Sequence, residues 1–180
     1  MRPSGEPRRV LFVCTANRCR SPAAEHLAAR RVGEDRALFR SAGFLDTGQP
    51  CPPRLVEALA ERGVDVARHR SHQLDPDTLA AAELVLTMEG EHVQRVVTAH
   101  RPAYARTFPL REAAAVVQRA GSGRVGIEDF VTLANRDRSP VAYLSTCWDV
   151  EDPYGGRLAG YRRAVAEIDE LLEIVLNALL

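Results

Sequence analysis

The stretch VLFVCTANRCRSPAAE at residues 10–25 carries the reading that decides the fold. Val10, Leu11, Phe12 and Val13 are a short apolar run of the kind that forms a strand buried on both faces. Ser21-Pro22 reads as an N-cap followed by proline at the first helical position. The loop between them therefore joins the C-terminal end of a strand to the N-terminus of a helix. Free backbone N–H groups and the positive end of the helix dipole converge at such a point. A thiol held there, Cys14, has its anion stabilised. Arg20 presents a planar fork of donors matched to two oxygens of a phosphate. Nucleophile, oxyanion cradle and arginine clamp thus share one loop, which is equipment for attack on a phosphate monoester. The plainer reading is a small buried cysteine that closes a hydrophobic strand. The strand before, the capped helix after and the serine directly behind the arginine favour the catalytic one.

Outward from this loop, Ala24, Leu27, Ala28 and Val32 recur at helical spacing. A short strand is predicted over 37–41, ending at Ala42-Gly43, then a loop holding Gly48, Pro50, Pro52 and Pro53, and a helix over 54–62 stopped by Gly63. Residues 83–88 (ELVLTM) read as a third buried strand, 90–98 as a short helix and 106–110 as a fourth strand. The last segment, 157–180, is amphipathic, with Tyr161, Val165, Ile168, Leu172, Val175 and Leu179 on one stripe that reads as a core face. Strands alternating with helices predict an α/β fold, a mostly parallel sheet with helices on both faces. Ligands bind such sheets beyond the carboxyl ends of the strands, beside the topological switch point, which is where the Cys14 loop falls. The segment 111–147 is read as a variable insertion with helical stretches over 112–120 and 127–135; a lid and a plain surface insertion are both open, and the plain insertion is favoured.

The chain of 180 residues suits one domain with a well-buried core, with 1–7 a flexible tail. Its 24 basic residues, all arginine, balance 24 acidic ones, so no field points to nucleic acid or to a membrane surface. No apolar run is long enough to span a bilayer and no signal-peptide pattern is present, so a cytoplasmic location is expected. The four cysteines, at 14, 19, 51 and 147, match neither a disulfide scaffold nor a zinc site and are expected to be free thiols. Nothing in the sequence fixes the oligomeric state.

Together with the loop, Ser41-Ala42-Gly43, His69 followed by Gln73, Met88 at the end of the third strand, and Asp152-Pro153-Tyr154-Gly155 resemble the low-molecular-weight protein tyrosine phosphatases. The resemblance spans nearly the whole chain apart from 111–147. It implies a three-layer, flavodoxin-like fold with a four-stranded parallel sheet. It also implies a two-step reaction through a phosphocysteine on Cys14. The backbone amides of Thr15, Ala16, Asn17, Arg18, Cys19 and Arg20, with the Arg20 guanidinium, would hold the phosphoryl oxygens. Asp152 would protonate the leaving oxygen and then activate water. Asp149 and Glu151 compete for that role; the proline behind Asp152 and its match to the family position favour it. Tyr154 would wall the entrance. Ser21 would both cap the helix and bond the Cys14 thiolate, and Asn17 tolerates a left-handed backbone. His69 would join Asn17 and Ser21 in a supporting network, and Cys14 with Cys19 would form a reversible protective disulfide. No metal and no cofactor are expected, because Arg20 and amides supply the charge stabilisation.

Three departures bear on the substrate. Ala16 stands where the family commonly has glycine, Arg18 stands at a usually apolar pocket position, and the loop over 44–48 lacks a usual aromatic, for which Phe44 is the substitute. A phosphotyrosine protein is the leading substrate. Another phosphomonoester, either a small molecule or a different phospho-residue, is the alternative. Arginine phosphatases of the family carry threonine at the Arg18 position, which disfavours phosphoarginine. Arsenate reductases need two further cysteines that 75–105 does not contain. A phosphate-binding pseudoenzyme is disfavoured by Cys14, Arg20 and Asp152 occurring together.

Overall fold

Burial on both sides, as the apolar run requires, places β1 (Arg8–Cys14) in the interior of a parallel sheet. The computed structural model describes residues 6–180 apart from Ser122 and Asp137, so residues 1–5 of the expected tail lie outside the described residues. The strands run in the order β2-β1-β3-β4, with β2 at Ala37–Gly43, β3 at Leu84–Thr87 and β4 at Thr107–Pro109. Both neighbours of β1 are parallel to it, and Cys14 lies in register with Gly43. The chain moves outward from β1 to β2 and then crosses to the other side for β3. That reversal opens the crevice beside the Cys14 loop.

Strand alternation divides the core between the two faces of the sheet. Val10, Phe12, Leu84, Leu86 and Phe108 face α1 (Arg20–Arg31), α2 (Pro53–Ala60), α5 (Leu110–Ala120), α6 (Ile127–Arg136) and α7 (Leu158–Leu179). Leu11, Val13 and Val85 face α3 (Pro76–Ala81) and α4 (Gly90–Ala99), through Leu79 and Val96. This is the expected three-layer arrangement. Phe12 stacks on Phe39 at 6.1 Å, and Phe108 meets Phe130 edge-on at 5.2 Å. Each such buried side chain contributes about 1.5–3 kcal/mol of transfer free energy. The stripe on the last helix is buried throughout, from Tyr161 to Leu179.

Two expectations are corrected, and one helix falls where none was expected. Helix α1 begins at Arg20, with Cys19 at the N-cap and no side-chain capping bond. Ser21 is therefore inside the first turn and Pro22 is not the first helical residue. The Ser21 hydroxyl is turned away from the helix amides because Cys14 and Asn17 engage it. The 111–147 segment is not a plain surface insertion over its first half. In α5, Ala113, Ala114, Val116 and Val117 are core residues packed with α7, and Phe130 of α6 closes the end of the sheet at Phe108. Only the stretch beyond α6 runs over the surface, in short 3-10 turns at Pro140–Leu144 and Thr146–Trp148. Helix α3, over residues to which the sequence reading assigns no element, starts in the ordinary way: Asp75 accepts from the Thr78 N–H at 2.8 Å and Pro76 occupies the first turn.

Candidate active site

The loop leaving β1 is held from beneath by one buried asparagine. Asn17 takes a left-handed backbone, φ 51°, the one such non-glycine residue among those described. Its Nδ2 donates to Ser21 Oγ at 2.9 Å and to Ser41 Oγ at 2.8 Å, and its Oδ1 accepts from the His72 N–H at 2.8 Å. The backbone carbonyl of Asn17 pairs with His69 Nε2 at 3.0 Å, so that nitrogen carries the proton and donates. Burial lowers the His69 pKa, which favours the neutral ring. Ser21 Oγ lies 3.1 Å from Cys14 Sγ. The expected supporting group of Asn17, Ser21 and His69 is thus assembled around the nucleophile candidate. Gly43, on the neighbouring strand, packs against the same loop. A β-carbon there would sit 2.6 Å from the Asn17 nitrogen and 2.8 Å from the Ala16 carbonyl carbon.

Arg20 springs from the first helical turn into the crevice and is 2% exposed. Its Nη2 donates to Asp152 Oδ2 at 2.7 Å, and its Nη1 donates to the Val150 carbonyl at 3.0 Å and to Glu89. Burial opposes its charge, but Cys14, Asp152 and Glu89 more than offset that and raise its pKa. Among the described residues its Nε has no partner. A buried cation surrounded this way keeps its charge and a fixed orientation.

Of the three competing acids, Asp152 alone lines the cleft. Its Oδ1 accepts from the Tyr154 N–H at 3.1 Å, which fixes the carboxylate at the turn. Asp149 is committed elsewhere, since its Oδ1 accepts from the Gly90 N–H at 2.9 Å at the start of α4. Glu151 is exposed and does not line the cleft. The cleft has a volume of about 370 Å³, with Cys14 and Arg20 at its floor. Tyr154, 57% exposed, stands at its mouth beside Arg18. The Arg18 guanidinium lies 5.2 Å from the Tyr154 ring centroid, its Nη1 donates to the Tyr154 hydroxyl at 3.0 Å, and its Nε donates to the Pro50 carbonyl at 3.0 Å. Phe44 does not supply the missing aromatic: its ring packs on His92 at 5.5 Å, beneath Arg95, and does not line the cleft. Cys14 and Cys19 are both free thiols, and burial raises the Cys19 pKa strongly.

Two residues that sequence reasoning passed over complete the site. Glu89 follows Met88 at the carboxyl end of β3 and reaches across the switch point to Arg20. His92, from the first turn of α4, shares a 3.0 Å hydrogen bond with Thr15 Oγ1. Burial, with Arg20 and Arg95 nearby, pushes its pKa down to about 3, so the ring is neutral. The signal available in the sequence was position alone, directly after a strand end at the switch point.

A family model described as low molecular weight phosphotyrosine protein phosphatase matches residues 9–129. A probable low molecular weight protein-tyrosine-phosphatase, EpsP, from Ralstonia nicotianae is 33% identical over 103 residues, 57% of this chain and 70% of that protein. A protein-arginine-phosphatase from Bacillus subtilis is 30% identical over 167 residues, 91% of each chain. Among solved structures, a low molecular weight protein tyrosine phosphatase from T. tengcongensis superposes with a TM-score of 0.72 at 30% identity, covering 96% of this chain and 99% of that one.

Proposed function

We propose that this chain, which belongs to the low molecular weight phosphotyrosine protein phosphatase family, hydrolyses phosphotyrosine in proteins through a phosphocysteine on Cys14. The observation that carries this reading is the convergence of Cys14, Arg20 and Asp152 on one cleft, with Arg20 and Asp152 in direct contact. In the first step the Cys14 thiolate attacks phosphorus, the bond to the tyrosyl oxygen breaks, and Asp152 gives that oxygen its proton. The amides of residues 15–20 and the Arg20 fork take the three equatorial oxygens, supplying fixed donors where charge is redistributed. In the second step Asp152 accepts a proton from water, the water oxygen attacks phosphorus, and the sulfur–phosphorus bond breaks to release phosphate and the thiolate. The Ser21 hydroxyl stabilises that thiolate in both steps, and Asn17, with His69 and Ser41 around it, holds the loop's shape.

The mouth of the cleft supports an aryl substrate. Tyr154 offers an exposed ring face for a phenyl group to stack on. Arg18 places a guanidinium on the same wall, which repels the guanidinium of a phosphoarginine and attracts an anion. The same arginine favours one second reading, a phosphomonoester bearing a further negative group. Four free thiols suit a reducing compartment, so the proposal places the protein in the cytoplasm. The test is a comparison of kcat/KM for one peptide carrying phosphotyrosine, phosphoserine or phosphoarginine, each assayed with the wild type and with Arg18→Thr. The wild type prefers phosphotyrosine, and Arg18→Thr narrows its margin over phosphoarginine. A wild type that prefers phosphoarginine overturns the substrate assignment.

A further inference from the structure

In a cavity that shares no lining residue with the cleft, Glu25, His26 and His69 bring one carboxylate and two imidazoles together, with ligand-capable atoms all within 4.8 Å of one another. Among the described residues this is the one such group. Its members come from separate elements: Glu25 and His26 from α1, and His69 from the segment after α2. The His26 and His69 rings meet edge to face at 6.0 Å. The three line a cavity of about 440 Å³, together with Asp65 and His72.

We propose that Glu25, His26 and His69 form a site for a zinc ion, separate from the catalytic cleft. Two imidazoles and one carboxylate, with a position left open, are a donor set that zinc accepts. Metal-ligating side chains are typically held by outer partners: the second nitrogen of a histidine donates to a carbonyl, and a carboxylate is itself hydrogen-bonded. Both are present here. His69 Nε2 donates to the Asn17 carbonyl at 3.0 Å, which leaves Nδ1 as the unprotonated donor. Glu25 Oε2 accepts from Ser41 Oγ at 2.5 Å. Zinc–nitrogen bonds of about 2.0–2.1 Å in a tetrahedron put ligand atoms roughly 3.3 Å apart, so binding needs the three side chains to close by at most about 1.5 Å through rotation of χ angles. Asp65, His72 or water can take the fourth position. Arg40, Arg68 and Arg70 also line the cavity and weaken cation binding. Two of them are turned to backbone oxygens, Arg40 to the Phe39 carbonyl at 3.3 Å and Arg70 to the His69 carbonyl at 2.8 Å. The ion would be anchored to Asn17 and Ser41, the residues that hold the phosphate loop from beneath.

The Cys14 thiolate is a competing zinc ligand, so the full chain is tested as Cys14→Ser, freed of metal and titrated with zinc chloride against a chromophoric chelator. One zinc binds per chain. Adding His26→Ala, a change outside the phosphate loop at a position where alanine favours the helix, weakens binding by at least the roughly 10- to 100-fold seen on losing an outer partner alone. His26→Gln does the same, and circular dichroism of each variant verifies the fold. Cobalt(II) in place of zinc gives the visible absorption of a four-coordinate site in Cys14→Ser and loses it in both His26 variants. Failure of Cys14→Ser to bind zinc, or equal binding after both His26 substitutions, overturns the proposal.

Discussion

Arg20 shows how much one side chain can fix. It is buried, paired with Glu89 and Asp152, and aimed at the floor of the cleft. Lysine keeps the charge but offers no planar fork, and it leaves two carboxylates competing for one ammonium. Arg20→Lys is therefore expected to lower kcat for an aryl phosphate by about 10²–10³-fold, the scale for losing one preorganised donor. Steady-state kinetics of the purified variant checks this, and near-wild-type turnover would remove Arg20 from the phosphate clamp. At this scale the sequence was legible where chemistry is local. Cys14 and Arg20 were readable from their own loop and Asp152 through the family resemblance, while Glu89 and His92 were not. Both reach the site across the crevice from the β3–α4 junction, and no spacing along the chain encodes that meeting. Ser21 was half-read, since its hydroxyl serves Cys14 and Asn17 instead of the helix amides.

Among the elements, the junction of β2 with the phosphate loop is the most tightly constrained. A β-carbon at Gly43 collides with the backbone of Ala16 and Asn17, which cannot yield as the end of a flexible side chain can. Gly43→Ala is expected to cost about 1–3 kcal/mol of stability through overpacking. Because it displaces the loop proposed to cradle phosphate, it is also expected to lower kcat by up to about 10²-fold. Denaturant midpoints and kinetics of the same preparation check both parts; unchanged kinetics would mean that the loop tolerates the shift. The strands and long helices were legible because their apolar periods are strong. Helix α3 was missed because its six residues are too few to show a period, although Asp75-Pro76 carried a start signal. Helix α5 was taken for part of an insertion because a run of alanines says helix without saying what covers it. The small side chains let α7 pack closely enough to bury them.

For the whole molecule, the parallel sheet accounts for the site. Strand order β2-β1-β3-β4 opens the crevice, β1 delivers the phosphate loop to it, and the loop before α7 brings Asp152 from the far end of the chain. The fold class followed from element order, whereas the return of the 148–156 loop over Arg20 came from family resemblance and then from geometry. The central claim is that Cys14 carries the phosphoryl group and that Asp152 helps to remove it. The most direct measurement is rapid quenching of Asp152→Asn with p-nitrophenyl phosphate, followed by mass spectrometry of the peptide containing residue 14. This substrate's leaving group departs with little help, so the first step proceeds while hydrolysis lacks its base. The account predicts one phosphoryl group on Cys14, accumulating in Asp152→Asn and absent from a variant that also carries Cys14→Ser. A phosphoryl group on another residue, or turnover that persists in Cys14→Ser with no covalent adduct, would contradict it.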